Sequence, residues 1–61
     1  MDKIIAPPET IQEFWKHNTG NLVHAKAIDG WQVTADNGKT WRFCNSPFET
    51  YHNFADMATK I

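Results

Sequence analysis

The 61-residue chain has a single cysteine, Cys44, so it holds no internal disulfide and no multi-cysteine zinc site. It has no apolar run near the roughly 18 residues that span a membrane. Its start, Met1-Asp2-Lys3-Ile4-Ile5-Ala6-Pro7-Pro8, is broken by proline too early to read as a signal peptide. An excess of charge of either sign is also missing. Six Lys/Arg against seven Asp/Glu give a net charge of -1, which weighs against strong, sequence-blind nucleic-acid binding. No Walker loop, Gly-x-Gly-x-x-Gly run, His-Glu-x-x-His pair or nucleophile elbow occurs. There is no internal repeat, low-complexity tract or linker. These absences leave one small domain over residues 1–61, expected in the cytoplasm, with no membrane partner.

Aromatic residues are plentiful. Phe14, Trp15, Trp31, Trp41, Phe43, Phe48, Tyr51 and Phe54 make up 13% of the chain. Each can bury roughly 150–250 Å². That density excludes disorder, which is poor in aromatics, and it gives a short chain the large side chains its core needs.

Residues 1–6 read as an extended arm, with Ile4 and Ile5 available for packing. Pro7-Pro8 then opens a helix over 8–18, because proline suits the first helical position. Glu9 and Glu13 fall in its early turns, where the helix dipole favours negative charge. Ile11, Phe14 and Trp15 share one face at i, i+3, i+4 spacing. His17-Asn18-Thr19-Gly20 reads as the stop, with Gly20 as a left-handed cap.

Residues 21–44 read as three strands turning at Asp29-Gly30 and Asn37-Gly38. Face parity selects the register. A two-residue loop at Asn37-Gly38 would set Trp31 and Val33 on the opposite face from Trp41 and Phe43. A three-residue loop, Asp36-Asn37-Gly38, pairs Val33 with Trp41 and Trp31 with Phe43, so all four large residues share one face. The same reading of the first turn, loop Ile28-Asp29-Gly30, turns Val23, Ala25 and Ala27 inward and exposes Ile28.

Ser46-Pro47-Phe48-Glu49 fits a capping box opening a helix over 47–60. Phe48, Tyr51, Ala55, Ala58 and Ile61 form its apolar stripe. The expected fold is therefore α+β in the order α-β-β-β-α: a three-stranded antiparallel sheet with both helices on one face.

That order is similar to the order in double-stranded RNA-binding domains, a likeness of topology over most of the chain. Their second helix begins with a basic cluster, whereas the matching stretch here is Ser46-Pro47-Phe48-Glu49-Thr50. The layout is also similar to that of the small ribonuclease toxins of Hic toxin–antitoxin pairs. Their sheet histidine follows Gly-Ser, whereas His24 follows Leu22-Val23. No family is assigned on these likenesses.

His17, His24, His52 and Cys44 match no metal-ligand spacing, and no metal or cofactor is expected. Cys44 reads as a small buried or edge residue, since an activated thiol needs a base and an electropositive pocket. The surface singled out is the outer sheet face. Leu22 and Cys44 lie on it, and His24, Lys26, Gln32, Thr34, Thr40 and Arg42 are the expected partner contacts. The leading expectation is a non-enzymatic protein-interaction module, of the kind that bacterial viruses and mobile elements make to inhibit or regulate a host factor. The alternative is a small regulatory protein binding RNA or DNA through the same face, for which two fixed charges give a weak counterion-release term. A small hydrolase using His24 ranks third.

Overall fold

The computed structural model describes residues 10–61, and a five-stranded antiparallel sheet organises them. The strands are β1 (Ile11–His17), β2 (Val23–Ala27), β3 (Gly30–Thr34), β4 (Arg42–Cys44) and β5 (Ala58–Lys60). Two single-turn helices, α1 (Pro47–Thr50) and α2 (Phe54–Met57), lie between β4 and β5. The spatial order is β4-β3-β2-β1-β5. The expected arm over 1–6, and Pro7-Pro8 and Glu9 at the expected helix start, lie outside the described residues.

The α-β-β-β-α expectation is corrected at both ends. The segment expected as a helix over 8–18 is β1 where it is described, hydrogen-bonded between β2 and β5. Residues 3 and 4 apart looked like one helical face because apolar residues stand on both sides of this strand. Phe14 points to one sheet face, opposite Ala25, and Trp15 to the other, opposite His24. A strand covered on both faces loses the alternation that would betray it. Ile, Phe and Trp also fit a pleated surface well. An irregularity between Ile11 and Glu13 shifts the register there. Gly20 is no helix cap and has no positive φ; it lies in the loop closed by His17 N–H donating to the Leu22 carbonyl at 3.0 Å.

The segment expected as a helix over 47–60 is two turns and a strand. Pro47 does occupy the start of α1, but Ser46 makes no side-chain cap bond, so the capping box does not form. The chain becomes extended at Tyr51 (φ -120°, ψ 111°), turns through His52-Asn53, and becomes extended again at Ala58. His and Asn are weak helix formers, and the open edge of β1 offers ladder bonds that a continued helix would forgo. Ala58, Thr59 and Lys60 pair with His17, Lys16 and Trp15. Asn18 secures this corner. Its backbone N–H donates to the Met57 carbonyl at 2.9 Å, and its Oδ1 accepts from the Thr59 hydroxyl at 2.9 Å. The two likenesses drawn on the α-β-β-β-α order lose their basis with it.

Three strands do lie within 21–44, but in other registers. Ala27 pairs with Gly30 across Ile28-Asp29, and Val33 pairs with Arg42, Gln32 with Phe43 and Trp31 with Cys44. Trp31 and Val33 therefore share a face with His24, Lys26, Arg42 and Cys44, not with Phe43. Gly30 has φ +133°, a conformation that an L side chain rarely adopts. Ile28, on this turn, is 71% exposed.

A hydrogen-bond knot sets the second register. The Thr34 hydroxyl donates to Asp36 Oδ1 at 2.6 Å, Thr40 N–H donates to the same oxygen at 2.8 Å, and the Thr40 hydroxyl donates to Oδ2 at 2.6 Å. Thr34 Oγ1 also accepts from Gly38 N–H at 3.0 Å. These bonds hold a wide loop over 35–41 in place of a three-residue turn. Asn37 (φ 62°) and Gly38 (φ 96°) take the left-handed positions, as their residue types allow.

Both sheet faces carry core. One face buries Val23, Ala25 and Ala27, each fully inaccessible, with the Phe14 and Trp41 rings 6.2 Å apart on that side. The other receives the helical segment. Phe54, 1% exposed, packs there against Trp15, His17 and His24 at centroid distances of 5.3–5.5 Å. Phe48 reaches Trp15 and Trp31. No helix among the described residues is long and apolar enough to cross a membrane.

Candidate functional site

The helical segment covers the second face unevenly. Phe48 and Phe54 fill the part over β1 and β2. Near β4 the cover stops at Thr50 and Tyr51, and a cavity of about 490 Å³ opens between them and the sheet. Its floor and walls include His24, Val33, Arg42, Cys44 and Asn45. The register places His24, Val33 and Arg42 in one row across β2, β3 and β4.

His24 is the most constrained group at this cavity. Only 4% of it is exposed. Its Nδ1 lies 3.2 Å from Nε2 of His17, itself buried on β1. One proton serves that bond, so the neutral pair fits and a doubly charged pair does not. Burial, and secondarily His17, pushes the His24 imidazole down to about 4. Burial lowers His17 as well. The rings of Tyr51 and Phe54 close over both histidines at 5.3–6.2 Å.

Arg42 is exposed, on a three-residue edge strand. It makes no ion pair among the described residues. Burial raises the neighbouring Cys44 thiol, with Arg42 opposing in part, so Cys44 is not an activated nucleophile. Phe43 projects from the opposite side of β4 and is 70% exposed.

The six expected partner contacts do not form one surface. His24, Lys26 and Arg42 share the face that the helices cover, and Lys26 there lies 5.8 Å from the Trp31 ring centroid. Gln32 and Thr34 are on the other face and are buried, at 8% and 1% exposure. Thr40 is exposed in the loop, tied to Asp36. Tyr51 at the cavity and His17 behind His24 carry no signal in the sequence, because their places depend on the break after Thr50 and on β1 being a strand. His52 is exposed and far in role from this cluster. Among the described residues no three His, Cys, Asp or Glu side chains converge to hold a metal ion.

Comparison with protein-family models, curated proteins and solved structures finds no match to this chain.

Proposed function

We propose that the protein is an interaction module, acting inside the cell without catalysis of its own, that takes an extended segment of a protein partner along β4. The observation that carries this reading is the state of that edge. Among the described residues β4 is an end strand of the sheet, and Phe43 at its centre leaves 70% of its surface in water. An unpaired edge is a ready template for another strand, which would gain backbone hydrogen bonds and seat an apolar side chain beside Phe43.

The opposite edge supports the choice by contrast. β5 bears Lys60, whose Nζ lies 3.8 Å from Glu13 Oε2, and Thr59. A charged edge of that kind discourages strand addition. β4 also bears one charge, Arg42, but its central residue is the exposed Phe43, where β5 has Thr59.

The test compares affinity capture from source-cell lysate by the parent protein, Phe43→Asp and Ile28→Asp. Ile28 is equally exposed but sits on the β2–β3 turn. A protein retained by the parent and by Ile28→Asp, lost with Phe43→Asp and indifferent to nuclease supports the reading. Capture that vanishes with nuclease and weakens steeply between 50 and 200 mM salt would replace it with nucleic-acid binding.

A further inference from the structure

We propose that the cavity between β4 and Tyr51 is a binding site for a carboxylate carried on an apolar body. The site is distinct from the hydrogen-bonding edge of β4 and faces the helix-covered side of the sheet.

Three features support it. First, the wall holds one cation, Arg42, and no acidic side chain. A guanidinium without a counter-charge presents a planar fork that matches a carboxylate. Second, His24 is nine-tenths buried at this wall with one ring nitrogen uncommitted. Nδ1 is engaged with His17, while Nε2 has no hydrogen-bond partner among the described residues and is not sealed from solvent. Asn45 and Tyr51 line the same wall. Third, Tyr51, Val33 and Leu22 supply apolar surface next to these polar groups. The cavity's volume of about 490 Å³ falls within the roughly 300–1,000 Å³ of small-ligand sites.

The charge count selects the ligand class. One arginine beside a neutral imidazole balances a monoanion. A phosphate dianion calls for more cations or a nest of backbone N–H groups. The carboxylate can come from a free acid or from a Glu side chain of a bound peptide. The chemistry of recognition is the same for both.

The test titrates the whole chain with 3-phenylpropionate and with its neutral isostere 3-phenylpropionamide, following ¹H–¹⁵N shifts. A hexapeptide bearing one Glu, and the same peptide with Gln, form the second arm. The acid is expected to bind about tenfold more tightly than the amide, with the largest shifts at Arg42, Asn45, Tyr51 and the His24 ring. Arg42→Gln, at an exposed position, should keep the parent spectrum elsewhere and erase the preference. Tighter binding of the free acid than of the Glu peptide assigns the site to a small molecule, and the reverse assigns it to a partner's side chain. Equal binding of acid and amide and of both peptides, a preference that survives Arg42→Gln, shifts confined to another face, or no binding of any probe would each overturn the proposal.

Discussion

His17 Nε2 and His24 Nδ1 meet at 3.2 Å beneath the rings of Phe54 and Tyr51, joining β1 to β2 through a bond that requires at least one neutral imidazole. This pair links the packing of the helical segment to the protonation of the sheet. The groups around His24 are His17 from β1, Tyr51 and Phe54 from the cover, and Arg42 in the same sheet row. None of them is a carboxylate that would favour an imidazolium.

Acid should therefore weaken the fold. His24 is lowered from 6.5 to about 4 in the folded chain. Between those values the unfolded chain binds more protons, so stability rises with pH there. The contribution is full above about 6.5 and is lost as pH falls toward 4. Allowing for solvent reaching the cavity, it amounts to about 2 kcal/mol. Urea unfolding at pH 7.0, 6.0 and 5.0 measures it. The midpoint should fall across this range, and a His24→Gln variant should show a flatter profile. An unchanged midpoint would place solvent around the pair.

Phe54 should carry much of the stability. It touches Trp15, His17, His24, Phe48 and Tyr51 and is nearly inaccessible. Phe54→Ala is expected to cost roughly 3–5 kcal/mol, a large share of what a chain of this size has. Phe43→Ser, at an exposed position, should leave the melting temperature nearly unchanged. Reversal of that order would contradict the placement of the helical segment.

The loop over 35–41 should depend on one carboxylate. Bonds from Thr34 and Thr40 hold the Asp36 carboxyl well below the usual carboxylate range. Its contribution is present above the ordinary Asp value near 3.9 and is lost as pH falls toward the folded value. Asp36→Ala should speed amide exchange at Thr40, whose N–H donates to that carboxylate, and at Gly38, whose N–H donates to the Thr34 hydroxyl that Asp36 holds. Exchange should be unchanged in β1. Uniform loss of protection would show that the loop is part of the global unfolding unit.

The middle of this fold was legible in the sequence, and its edges were not. Asp29-Gly30 and Asn37-Gly38 mark turns by their residue types, and Val23, Ala25 and Ala27 share a face by simple alternation. The registers failed for one shared reason. Face parity gathers the large residues on one face only where the other side of the sheet is open. Both sides of the sheet carry buried residues, and Trp31 packs with Phe48 on one side while Phe43 stands largely in water on the other. β1 was hidden by the same condition, through Phe14 and Trp15. β5 was hidden because Ala58, Thr59 and Lys60 are equally compatible with a helix end, and only the vacant edge of β1 decides. Of the cavity, the sequence points to Leu22, His24, Arg42 and Cys44. Tyr51 reaches it only because the expected helix over 47–60 breaks after Thr50.

Photo-crosslinking from β4 tests the central claim most directly. A photoreactive benzoylphenylalanine is placed at Phe43 in one variant and at Ile28 in another, two side chains of nearly equal exposure at different places on the sheet. Irradiation in source-cell lysate should give a discrete protein adduct from position 43 and none from position 28, and excess Phe43→Asp protein should fail to compete for it. Adducts of equal yield from both positions, or no protein adduct at position 43, would contradict a partner site on this edge.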